Sequence, residues 1–181
     1  MLGNFMADSI KGNQYLNYQE QLSKGILLHR FIDSFTDSHE LVNENKSLLR
    51  NEYGRYSPIV SDIVYDHFLA LNFEQYAGIQ LDKFVSSVYQ YMDLHKTDMT
   101  PFAQEVIPYM IQHNWLENYQ YKEGLQKIFK QFGRRIGVKE LFDNVTEVVW
   151  ANYSAFDNNF HQFFPILDNA VEQKRKDLGL Q

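Results

Sequence analysis

The chain has 181 residues, enough for one domain with a sizeable core. Its 44% hydrophobic and 15% aromatic content exclude disorder, and the absence of cysteine excludes disulfides, thiolate metal sites and a cysteine nucleophile. A net charge of −6 disfavours non-specific nucleic-acid binding, which needs a basic face.

Residues 1–12, MLGNFMADSIKG, lack the basic-then-apolar plan of a secretory signal. No apolar run approaches the roughly 20 residues of a membrane span, and a reducing cytoplasm is the expected compartment. Residues 17–37 are predicted to be helical, with Leu22, Ile26, Phe31 and Phe35 at three-to-four spacing and Asn17 as N-cap. A second helix over 38–54 stops at Gly54. A third opens on Ser57 and Pro58 and carries Ile59, Ile63, Phe68 and Leu71. An amphipathic helix follows over 81–96, and another starts at Thr100 and Pro101, with Pro108 expected to kink or interrupt it. The helix over 118–137 ends near Gly133 or Gly137, and 138–181 reads as one long or broken helix with a kink at Pro165. With no sustained period-two alternation, no repeat and no linker, the expectation is an all-α, single-domain helical bundle over 1–181.

In HRFIDSFTDSH, residues 29–39, His29, Asp33 and Asp37 follow one another at intervals of four. Four residues is about one helical turn, so the three side chains share a face. Asp62 and Asp66 repeat the spacing in SDIVYDHFLA, His67 adjoins Asp66, and Asp8 stands in an otherwise apolar segment. Two helices offering carboxylates and a histidine each can converge on a cation. Oxygen and imidazole donors without thiolate suit Mn²⁺, Mg²⁺, Fe²⁺ or Zn²⁺, and the carboxylate excess leans towards Mn²⁺ or Mg²⁺. The apolar neighbours of Asp33 and Asp66 demand a partner for each charge, and an ion pair with Arg30 would serve without any metal. His39, His95, His113 and His161 read as surface or capping residues. Spacing alone therefore reaches a helical, metal-dependent hydrolase.

The succession GNFMAD, GILLHRFIDSFTDSH, SPIVSDIVYDHFLA, NWL, GRR and FFP resembles the acyl carrier protein phosphodiesterases, in order and over nearly the whole chain. The resemblance implies a cytoplasmic helical enzyme, distantly HD-domain-like. Such an enzyme removes 4′-phosphopantetheine from holo acyl carrier protein by cleaving the phosphodiester to its serine. It implies a divalent cation, Mn²⁺ favoured and Mg²⁺ or Fe²⁺ next. Carried over, His29, Asp33, Asp62, Asp66, His67 and Asp8 match the family's polar motif positions, and Arg30 and Asp37 flanking ones. The mechanism expected of such a site has His29, Asp33, Asp66 and Asp8 holding the metal and Arg30, Asp62 and His67 as catalytic residues, Arg30 stabilising phosphoryl charge and His67 protonating the leaving serine. Acyl carrier proteins are acidic, so the basic stretch containing Lys127, Lys130, Arg134 and Arg135 is the expected docking surface. Family members usually begin with an Asn-Phe-Leu-Ala-His type of segment ahead of GN…AD. That segment is absent here, so a chain short of one histidine ligand is expected. The rival expectations are an HD-like nucleotide phosphohydrolase and a non-enzymatic helical interaction module.

Overall fold

The computed structural model describes residues 1–180, so Gln181, the end of the expected last helix, lies outside it. Among the described residues there are eleven α-helices and no strand. They are α1 (Leu2–Met6), α2 (Glu20–Ser38), α3 (Glu40–Tyr53), α4 (Ser57–Leu71), α5 (Phe73–Ala77) and α6 (Leu81–Leu94). The chain continues through α7 (Pro101–Gln112), α8 (Trp115–Asn118), α9 (Lys122–Arg135), α10 (Val145–Ala151) and α11 (Tyr153–Asp177). No helix among the described residues is long and apolar enough to cross a membrane.

Local chemistry explains several boundaries. Thr100 caps α7 by accepting from the Ala103 N–H at 3.4 Å, with Pro101 just inside. His39 caps α3 through Nδ1, which accepts from the Leu41 N–H at 3.3 Å. Gly54 ends α3 at a φ of 50°, where a side chain would be strained. Other boundaries depart from the sequence reading. Asn17 does not cap α2, because Gly12–Asn17 forms its own 3₁₀ segment and α2 starts at Glu20. That segment is tied down by the Ser23 hydroxyl, which donates to the carbonyls of Tyr15 (2.7 Å) and Tyr18 (3.1 Å). Neither proline interrupts its helix: α7 runs through Pro108 and α11 through Pro165, each giving up one ladder bond. α9 ends at Arg135, and Gly133 lies inside it, where the absent side chain leaves room for the Phe142 ring. The region after Gly137 is broken, into a 3₁₀ turn at Lys139–Phe142, then α10, then α11.

Two apolar clusters form the interior. One gathers Val42, Leu49, Phe68, Phe129, Phe142 and Phe160 from α3, α4, α9, α11 and the 139–142 turn. The other gathers Leu2, Met6, Ile26, Val85, Met92 and Ile107 from α1, α2, α6 and α7. α2 serves both: Ile26 belongs to the second cluster and Phe35 packs on the first. α1 lies close on α2 because the crossing is made of glycines. A Cβ on Gly3 would run into the Leu22 carbonyl, and one on Gly25 would stand 3.1 Å from the Gly3 Cα. This close seat places the next residues, Ala7–Ser9, beside the middle of α2.

Candidate metal centre

The middle of α2 presents His29 to both sides of the seam between α1 and α2. Its Nε2 lies 3.1 Å from Asp8 Oδ1 and 3.1 Å from Asp33 Oδ2, while Nδ1 faces Asn4 Oδ1 at 3.4 Å. Hydrogen bonds to Asp33 and then Asp8 outweigh partial burial and raise the His29 pKa to about 9. The same bond holds the Asp8 carboxyl below its ordinary range. Asp8, His29 and Asp33 each offer a donor atom, all within 4.8 Å of one another. The side chains of Asp8 and Asp33 are 84% and 52% exposed, so the cluster opens to solvent.

Beside the cluster a cavity of about 500 Å³ runs between α2, α4 and α11. Five aspartates line it: Asp8, Asp33, Asp37, Asp62 and Asp66. Asp37 is held by the ammonium of buried Lys46 at 2.8 Å. Asp62 faces the cavity, but protein crowds out much of the water that would stabilise its charge. Its pKa rises to about 6, with repulsion from Asp37 adding to the effect and Lys46 opposing it. The same exclusion of water, with a smaller push from Asp62, raises Asp66 to about 7, against a hydrogen bond from Tyr119. Leu69, Phe160, Phe163, Phe164 and Leu167 give the cavity an apolar wall.

The donor set fits a hard or borderline divalent cation, being imidazole and carboxylate with no thiolate. The electrostatics agree with the donors. Five carboxylates against His29 and Lys46 repel an anion until a cation offsets them.

Asp66 shares the cavity with the cluster but stands outside the tight trio, and Asp62 lines the same wall. Three other groups of expected site residues lie outside the cavity lining. His67 is buried at 2% exposure and lies outside the cavity lining. Its Nδ1–H donates to the Tyr119 carbonyl at 2.7 Å and its Nε2 meets the Tyr153 hydroxyl at 3.1 Å. Burial lowers its pKa, so it is a neutral core residue with both nitrogens engaged and no proton to offer a leaving group. Arg30 also lies outside the cavity. Its guanidinium donates to the carbonyls of Gly12 (2.8 Å) and Ile10 (2.7 Å) and covers the Tyr15 ring. It fastens residues 10–15 to α2 and pairs with no carboxylate of the site. Lys127, Lys130, Arg134 and Arg135 lie on α9, and none of them lines the cavity.

The sequence reading missed Lys46, Asn4, Tyr119 and the aromatic wall from α11. Tyr119 and most of the α11 wall lie in the aromatic runs NWLENYQY and HQFFPIL, which read more readily as core than as a ligand platform.

A family model described as acyl carrier protein phosphodiesterase matches residues 1–167. The chain is similar to the acyl carrier protein phosphodiesterase of Photorhabdus laumondii, 31% identical over 175 residues, which covers 96% of this chain and 88% of that protein. It is also similar to the proteins of that name from Klebsiella pneumoniae strain 342 (28% identical; 96% and 90% covered) and Enterobacter sp. strain 638 (29%; 97% and 91%). No solved structure matches it.

Proposed function

The chain belongs to the acyl carrier protein phosphodiesterase family, and from that premise we propose that it hydrolyses the phosphodiester joining 4′-phosphopantetheine to the serine of holo acyl carrier protein. The products are the apo carrier and the free arm. The observation that carries this reading is the Asp8–His29–Asp33 trio opening onto a cavity that is acidic on one side and apolar on the other.

In this reading Asp8, His29 and Asp33 hold a divalent cation, Mn²⁺ being favoured by the carboxylate excess, with Mg²⁺ or Fe²⁺ next. The cation supplies charge screening of the phosphoryl oxygens and lowers the pKa of nearby water. For Nε2 to serve as a donor, His29 gives up its extra proton. Its remaining proton then sits on Nδ1 and points at Asn4 Oδ1, which fixes the tautomer. Asp62 and Asp66 are the acid–base pair. Both line the cavity wall beside the trio, where one can accept a proton from the attacking water and the other return one to the serine oxygen. The wall of Phe160, Phe163 and Phe164 gives the carbon chain of the arm a surface to pack on. The setting is the cytoplasm, and the carrier is that of fatty acid biosynthesis.

Mass spectrometry of holo carrier incubated with the protein and Mn²⁺ tests the reading. The expected result is loss of the phosphopantetheine mass and appearance of apo carrier. An unchanged carrier, or hydrolysis of members of a nucleotide panel in its place, overturns it.

A further inference from the structure

We propose that residues 10–18, together with the edge of α2 that carries them, form the docking surface for the acidic carrier protein; this rests on the reading above. The scissile bond is at the carrier end of the arm, on the oxygen of its serine. The length of the arm therefore cannot bridge a gap between the carrier and the hydrolytic centre. Whatever surface receives the carrier must adjoin the exposed edge of the cluster.

That edge is Asp8, whose side chain is 84% exposed. It sits on the Ala7–Ser9 turn, and residues 10–18 follow directly. The sequence from Ser9 to Gln19, SIKGNQYLNYQ, contains no acid in a chain of net charge −6. Lys11 is exposed within it, and the Arg30 guanidinium is held against it by the carbonyls of Gly12 and Ile10. Between these charges and the start of α2, Leu16 is 67% exposed. Positive charge flanking an isolated apolar side chain complements an acidic face with an apolar spot. The segment is also preorganised, because Ser23 bonds two of its carbonyls and Arg30 another two, so little ordering accompanies binding.

α9 is more basic but contributes no residue to the cavity. It packs on the 139–142 turn and α10, around the first apolar cluster, whereas the residues next to Asp8 belong to the second. None of the basic residues of α9 lines the cavity or touches the exposed edge at Asp8.

The experiment measures binding of the acidic carrier by fluorescence anisotropy at low salt, alongside Mn²⁺-dependent hydrolysis of bis(4-nitrophenyl) phosphate. Lys11→Glu and Leu16→Asp alter exposed side chains only. Each should weaken carrier binding by about tenfold, with the Lys11→Glu effect shrinking as salt rises, while small-diester hydrolysis is unchanged. Arg134→Glu/Arg135→Glu should leave both readouts near wild type. The inference is overturned if neither variant weakens binding, if the α9 double variant weakens it as much, or if the wild-type protein does not bind the carrier. Failure of the functional reading is a separate result: wild type that binds the carrier but never removes its arm.

Discussion

In the proposed function a divalent cation must displace a proton from Nε2 of His29. In the metal-free protein the pKa of about 9 keeps that proton in place through neutrality. The folded value lies above the ordinary 6.5, so the stabilisation is complete below pH 6.5 and is lost as pH rises through about 9. Thermal melts of metal-free protein should therefore show a falling Tm between those values. The fall should be much smaller in His29→Ala, where the raised Asp66 carboxyl still titrates near 7, and that variant should also lose Mn²⁺ binding by calorimetry while keeping its helical circular dichroism. His67 makes the contrasting case. His67→Ala should lose about 1–3 kcal/mol of stability in denaturant unfolding, because it strands the half-buried Tyr119 carbonyl and Tyr153 hydroxyl. Mn²⁺ affinity should stay near wild type. The difference between these histidines also marks what was legible in the sequence. The His29–Asp33 pair is local, one helical turn apart, so spacing reveals it. The bonds that assign His67 come from residues 52 and 86 positions away, and those that assign Arg30 from 18 and 20. No local period encodes such contacts.

At the scale of helices, start and stop chemistry carried most of the reading. Thr100 with Pro101, Pro58, and Gly54 each mark a real boundary, because capping is decided within a few residues. α1 left no readable trace. Five residues are too few to sustain a helix alone, and α1 exists because it is seated on α2 through Gly3 and Gly25. That seat bears on the site, since Asp8 follows α1 within two residues. Gly3→Ala should destabilise the protein by about 1–3 kcal/mol, the usual range for overpacking. It should also weaken Mn²⁺ binding although no ligand is removed. Calorimetry on the folded variant checks this: unchanged affinity would mean that Asp8 is positioned independently of the crossing.

For the whole molecule, the two apolar clusters meet along α2, and the Asp8–His29–Asp33 trio lies on their seam. Asp8 comes from the side of α1, α6 and α7, while Asp62 and Asp66 come from the helix whose Val64 and Phe68 belong to the other cluster. A ligand that binds only the folded protein stabilises it by mass action, about 2.7 kcal/mol at a hundred times its Kd. Mn²⁺ should accordingly raise the melting temperature, a chelator should reverse the rise, and Asp8→Ala should remove most of it. The seam also has a consequence for how heat inactivates the protein. Clusters of this kind can open as separate cooperative units, each with its own protection against hydrogen exchange. If the unit built on α1, α6 and α7 lets go first, Asp8 leaves the trio while α3, α4, α9 and α11 keep their helical signal. On slow warming, catalytic turnover should then disappear several degrees before ellipticity does, with early deuterium uptake confined to residues 1–18 and 81–112.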